Sequence, residues 1–293
     1  MTEATAPAIL PQHVAHETLP VALRPRLETT WAVLCGAVAS GALSPSGASI
    51  VRLLAGWLVA DIVLGYALAQ LLATVWVARR VGAPTGCAPT SGPQLPYAEP
   101  DSPGDRLTRA MARWVEHWNL TLRPAIGHHA ASFVTASATA LLVGAYLGQP
   151  VLTGVAAALV AAGILVLVHG HDTEILVRWY AGIGLGIAWY LGHQLYSDVP
   201  PGSWGVAALI GLAALARAAQ QGDRPVGGRR LLGIVWAVFV TAMLVARQPI
   251  AAGVTAIAGL AELMGLGVST SRTARIGWLA AMLLAALIVA AVS

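Results

Sequence analysis

Asp61 is the one carboxylate in the apolar run Ile50–Ala78, IVRLLAGWLVADIVLGYALAQLLATVWVA. An ionised Asp at mid-helix in a bilayer is penalised by about 2.5–3.5 kcal/mol, so it needs a polar cavity, a partner or a proton. Glu262, in GLAELMGLG, is a second carboxylate in apolar surroundings, expected to pair with Arg247, a histidine or backbone rather than to relay protons. Asp223 lies in a basic loop, GDRPVGGRR, where Arg224 or Arg229 is its nearest counter-charge.

Histidine supplies the other reactive chemistry. His128-His129 opens one apolar segment, HGHDTE (His169–Glu174) forms a short turn between two others, and His193 ends the run WYLGH. A zinc or iron site from the turn cluster needs a distant further ligand, and a hydrated polar turn is the simpler reading. A neutral imidazole inside a membrane can instead ligate the magnesium of a chlorophyll-type pigment. His193 is the first candidate, beside Trp189 and Tyr190 on a segment whose Gly182, Gly184 and Gly186 leave room for a flat ring; His129 and His128 follow. A histidine hydrogen-bonded at a helix end is the plain alternative. Quinone or carotenoid binding asks only for apolar walls and an occasional donor, and Asp61, Tyr66, Trp189, Tyr190 and His193 are the expected ligand contacts. The chain has no G-x-x-x-x-G-K-[ST] run, Ser–His–Asp order or Cys-x-x-Cys pair.

The elements that must position these groups are membrane helices. Hydrophobic residues make up 57% of the chain and charged residues 10%, with a mean hydropathy of +0.71, which predicts an all-α polytopic membrane protein. Residues 1–27 carry Pro7, Pro11, Pro20 and Pro25 and predict an extended arm without an apolar signal-peptide core. Residues 28–293 read as one transmembrane domain. Nine spans are expected, near 28–43, 50–78, 124–147, 150–169, 174–196, 203–219, 230–247, 249–267 and 274–292. In the first, Gly36, Ser40 and Gly41 would let a neighbouring helix approach closely. Two cysteines, Cys35 in a span and Cys87 in a loop, argue against a disulfide framework.

Residues 79–123 form a loop holding an amphipathic helix at 105–119. Leu107, Met111, Trp114, Val115 and Trp118 fall on one face, with Arg106, Arg109, Arg113, Glu116 and His117 on the other. Ser102 or Asp105 can cap its start, and Pro103 suits the first turn. Leu107, Met111, Trp114 and Trp118 are expected at the membrane interface, or packed on the protein's own surface. Interleaved Trp and Arg fit membrane phosphate better than nucleic acid.

The seventeen basic residues are all arginine. With nine spans and the N-terminus inside, fourteen fall on the cytoplasmic side and only Arg52 and Arg247 opposite, with Arg178 inside a span. That positive-inside bias predicts a cytoplasmic N-terminus and a C-terminus on the other side of a cytoplasmic-type membrane.

The opening LRPRLETTWAVLCGAVASG, the nine expected spans, the loop after the second and the run GDRPVGGRR together resemble the UbiA-type intramembrane prenyltransferases, which include the chlorophyll synthases. The resemblance covers most of the chain from Leu23 onward. It implies a helical bundle around a cavity open sideways to lipid, with two Asp-rich motifs holding Mg²⁺ against a prenyl diphosphate. The first, N-D-x-x-x-D-x-x-x-D, falls here on Ala60, Asp61, Gly65 and Ala69. The second, D-x-x-G-D-R-x-x-G-R, falls on Ala219, Asp223 and Arg224. One carboxylate of each motif is kept, too few to hold the metals that neutralise a diphosphate leaving group.

The resemblance therefore implies a catalytically degenerate scaffold. The expected role is a binding or assembly subunit for an isoprenoid, quinone, carotenoid or chlorophyll-type ligand, in contact with lipid and with other membrane subunits of a photosynthetic or respiratory complex. An active prenyltransferase with an altered Mg²⁺ site is the alternative. A transporter of a lipid-linked molecule, suggested by Asp61, Arg178 and Glu262 inside the membrane, is a third.

Overall fold

The computed structural model describes residues 27–44, 46–81, 102–170, 172–197, 202–221, 225–245, 247–264 and 272–292; most of the arm, residues 82–101 and the loop with Asp223 and Arg224 fall outside them. The described residues are helical and contain no strand. The continuous helices are α1 (Leu27–Ala39), α2 (Gly47–Val81), α3 (Pro103–Leu147), α4 (Gln149–His169), α5 (Thr173–Gln194), α6 (Gly202–Gln221), α7 (Pro225–Val245), α8 (Pro249–Leu263) and α9 (Arg272–Val292).

Local chemistry explains their ends. Ser46 accepts from the Ser49 amide at 3.2 Å and starts α2, and Ser102 does the same for Asp105 at 3.2 Å with Pro103 in the first turn of α3. Asp172 caps α5 by accepting from the amides of Glu174 and Ile175 at 3.0 and 3.1 Å. Gly148, at φ 127°, lets the chain turn from α3 into α4 within one residue, a conformation closed to side chains with a Cβ.

Two helices contain a wider, π-helical turn. In α2 it spans Leu58–Leu64, around Asp61; in α3 it spans Trp118–Leu122. The second has a visible cause. Pro124 has no amide proton, and its ring would clash with a carbonyl one turn back, so the helix widens just before it and the Arg123 amide bonds to the Trp118 carbonyl instead. The amphipathic stretch is thus not a separate element: it is helical from Pro103 and continues through the π-helical turn into the span that follows it.

Five described helices are long and apolar enough to cross a membrane: Gly47–Val81, Pro103–Leu147, Gln149–His169, Glu174–Gln194 and Val226–Val245. The chain is therefore an integral membrane protein whose outer surfaces meet lipid. Nine crossings were expected; of the other four helices, α1 and α8 are short, at 13 and 15 residues, while α6 and α9 run to 20 and 21 residues with described apolar stretches at Trp204–Gln220 and Trp278–Leu287.

Neighbours in sequence pack side by side, and α5 lies at the centre, against α1, α4 and α6. Its Leu176, Ala188, Trp189, Tyr190 and Leu191 are completely enclosed. The α1–α5 contact is the closest. A Cβ placed on Gly36 falls 2.0 Å from the Trp189 carbonyl oxygen, and one on Gly192 falls 2.0 Å from the Val33 carbonyl oxygen. Gly36 thus permits the close approach, whereas Gly41, at φ 68°, turns the chain after α1. The indole nitrogen of Trp31 ties α1 to α9 by donating to the Leu279 carbonyl at 2.7 Å.

Candidate functional site

Asp61 lies in the π-helical turn of α2, half-buried, with Ala60 and Ala69 buried on the same helix. Tyr66, expected to contact ligand beside it, points outward and is 41% exposed. Among the described residues no three His, Cys, Asp or Glu side chains come together in a group able to hold a metal ion. Asp223 and Arg224 lie outside the described residues, as does His171.

One turn beyond Tyr66, the buried Gln70 reaches across to α3. Its Oε1 stands 2.8 Å from Nδ1 of His129. An amide oxygen only accepts, so in this pairing Nδ1 of the half-buried ring carries a proton. His128 is exposed, its ring 5.5 Å from that of His129.

His193 is in a different state. It is 2% exposed, its ring stacks on Trp189 at 5.5 Å, and its Nδ1 is 2.8 Å from the Ser197 hydroxyl. Tyr190 stacks on Trp204 of α6 with centroids 3.9 Å apart. The space expected for a flat ring beside these residues is filled by helix. Cβ atoms on Gly182 and Gly186 would fall 2.7 and 2.6 Å from the carbonyl oxygens of Gly211 and Ala207, so these glycines seat α6 against α5; Gly184 faces open space. The trio Trp189, Tyr190 and His193 is one packed layer of the bundle centre.

The ion pair that sequence reading assigned elsewhere lies between α6 and α8. Arg217 Nη1 donates to Glu262 Oε1 at 2.5 Å, Trp236 Nε1 donates to Oε2 at 2.9 Å, and the guanidinium lies 4.7 Å over the Trp278 ring. Expected instead was Arg247, which is exposed in the turn before α8 with φ 58°. Arg217 and Glu262 are 45 residues apart, and only the packing of α6 to α9 brings them together. Arg229, at the start of α7, donates through Nε to the Leu263 carbonyl at 2.9 Å and so caps the end of α8. Arg178 pairs with Glu174 one turn away at 3.3 Å.

Next to the Arg217–Glu262 pair is an apolar cleft between α6, α7, α8 and α9. Its walls include Ile210, Phe239, Met243 and Met282, with Trp236 and Trp278 belonging to both cleft and ion-pair cluster. Thr255 is the one hydroxyl among its lining side chains. Aromatic and thioether surfaces adapt to flexible chains or flat rings by dispersion alone. A charge pair whose atoms are already satisfied gives such a cleft a polar end without an orphaned ion.

No family model matches this chain, and no curated protein or solved structure is significantly similar to it.

Proposed function

We propose that this chain is a UbiA-like membrane protein without diphosphate chemistry, acting as a binding or assembly subunit for an isoprenoid, quinone, carotenoid or chlorophyll-type ligand within a larger membrane complex. Nine crossings, a cytoplasmic N-terminus and a C-terminus on the opposite side of a cytoplasmic-type membrane belong to this reading, supported by the arginine distribution. The loss of diphosphate chemistry is supported by Ala60, Gly65, Ala69 and Ala219, which stand where the resemblance calls for Asn and Asp.

The observation that carries the reading is the apolar cleft of α6–α9. Trp236, Phe239 and Trp278 offer flat faces, Met243 and Met282 give adaptable walls, and the Arg217–Glu262 pair contacts the Trp236 and Trp278 side chains that line it. As it stands the cleft has room for little more than a water-sized group, so these apolar faces would meet the end of an isoprenoid tail and would have to part to admit a conjugated ring; neither requires a metal. A chlorophyll-type ligand would have a separate point of attachment in His129, which in its neutral form, with Nδ1–H held by Gln70, would offer Nε2 to the metal.

The test is the composition of the purified protein. Solvent extraction and mass spectrometry, with an absorption spectrum, are expected to give a near-stoichiometric isoprenoid, quinone or pigment. Met282→Trp, which fills the cleft, is expected to remove a tail-bearing ligand, and His129→Leu to remove a pigment held by metal ligation. A colourless preparation carrying only bulk phospholipid overturns the proposal. Mg²⁺-dependent prenyl transfer abolished by Asp61→Asn overturns its non-catalytic part.

A further inference from the structure

Among the described residues, nothing buries the apolar face of the N-terminal part of α3. No residue of Pro103–Leu122 is buried. Leu107 and Met111 are 63% and 62% exposed, and Trp114, Val115 and Trp118 are exposed with them. On a 3.6-residue helix these five side chains cluster on one side, while Arg106, Arg109 and Arg113 cluster on the other.

Length fixes where this surface must lie. The 45 residues of α3 reach about 67 Å, against about 30 Å for a bilayer core, so a large part of the helix is outside the hydrocarbon. The part after Pro124 carries the apolar span, so Pro103–Leu122 is tethered at the bilayer surface. The π-helical turn Trp118–Leu122 separates the two parts, and such turns, like prolines, are where helices change direction. Basic and aromatic residues mark the same level on the neighbouring helix. Arg80 lies 3.8 Å over the Trp76 ring at the end of α2, whose C-terminal half packs against α3.

We propose that Pro103–Leu122 lies on an anionic bilayer surface, with Leu107, Met111, Trp114, Val115 and Trp118 inserted among the acyl chains and Arg106, Arg113 and Arg123 engaging lipid phosphate. Charge selects this occupant. Arg109 is held by Asp105 at 2.6 Å and Arg113 donates through Nε to the Arg109 carbonyl at 3.3 Å, so Arg106, the Nη atoms of Arg113 and Arg123 just past the stretch are the exposed guanidinium groups that can reach headgroups. A protein partner would cover the apolar face and have no need of them. Tryptophans at the join between stretch and span match the level of an interface, where an indole meets both acyl chains and water.

The test uses the full chain with Cys87→Ser, Cys35 being fully buried. A spin label is placed at Met111→Cys or at Glu116→Cys, on opposite faces, and the protein is reconstituted in phosphatidylcholine vesicles with or without phosphatidylglycerol. Collision with oxygen reports acyl chains, and collision with a water-soluble nickel chelate reports solvent. With phosphatidylglycerol present, the Met111 label is expected to be oxygen-accessible and nickel-shielded, and the Glu116 label nickel-accessible. Loss of one arginine, in Arg106→Gln or Arg113→Gln, is expected to lower the inserted population roughly fivefold at low salt. A nickel-accessible Met111 label overturns the proposal. So does one shielded from both probes, which means that a second copy or a partner protein covers the face. Insertion indifferent to phosphatidylglycerol and to the arginines overturns their assignment to headgroups.

Discussion

Gly192→Ala tests the centre of the bundle. A methyl there would sit 2.0 Å from the Val33 carbonyl oxygen, 2.8 Å from its carbon and 2.9 Å from its Cα. A carbon and a carbonyl oxygen approach to roughly 3.3 Å, so α1 must withdraw by about 1.3 Å. The obstacle is backbone on both sides, and no rotamer change relieves it. Withdrawal loosens α1 at Ala32, Cys35, Ala37 and Ala39, all fully enclosed, and pulls on the Trp31 bond to α9. Overpacking of this kind costs about 1–3 kcal/mol and occasionally more, and the better helix propensity of alanine returns up to about 1 kcal/mol. Relative to Gly184→Ala, which gains the same propensity, the loss expected is about 1–3 kcal/mol. Gly184→Ala is the control, because nothing lies within 4 Å of its added methyl, and it is expected to be neutral or stabilising by up to about 1 kcal/mol. Both are read by SDS titration from mixed micelles, following helix content by circular dichroism. Equal midpoints for the two variants would refute the α1–α5 register.

Further outcomes follow from the other contacts. Arg217→Met is expected to destabilise more than the double variant Arg217→Met/Glu262→Met, since the single change strands a carboxylate with only the Trp236 donor; a double-mutant cycle in the same titration should give a coupling of about 1–3 kcal/mol. Ser197→Ala removes the nearer partner of His193 Nδ1, leaving Gln194 Nε2 at 3.4 Å, and is expected to cost about 1–2 kcal/mol, whereas Ser197→Thr, which keeps a hydroxyl, should recover most of it. Gln70→Leu frees the His129 ring from its α2 partner and is expected to cost about 1–2 kcal/mol; a crosslinking-competent cysteine pair at the α2–α3 contact should then react less. Millimolar Mg²⁺ or its removal by EDTA should leave the melting temperature unchanged, and a Mg²⁺-dependent rise would count against the loss of diphosphate chemistry.

Helices were legible in this sequence because their signal is local. Apolar runs, the caps Ser46 and Ser102 and the Pro103 start can all be read from a few adjacent residues. The same holds for the amphipathic face from Leu107 to Trp118. Continuity was harder to read, because Pro124 suggests a break and only a π-helical turn shows that the helix absorbs it. Partners across the bundle left no local trace. Glu262 was recognisable as a carboxylate needing a counter-charge, but Arg217, 45 residues earlier, has no sequence feature that singles it out from Arg247. His193 likewise looked like a ligand position because its glycine-rich helix has room beside it, and at Gly182 and Gly186 that room is taken by α6 while Gly184 faces open space.

Composition and periodicity by themselves determined that this chain is helical and membrane-embedded, that one stretch carries opposed apolar and arginine faces, and that Asp61 lacks the carboxylates of an Asp-rich motif around it. Those properties depend on residue type and on spacing within a single helix. Tertiary structure decided which polar groups meet: Gln70 with His129, Arg217 with Glu262 and Trp236, His193 with Ser197. It also decided that the glycines of α1 and α5 hold helices together. The physical reason is that a glycine or an arginine in an apolar helix is equally consistent with a cavity, a neighbour or lipid, and only the approach of a second helix selects among them.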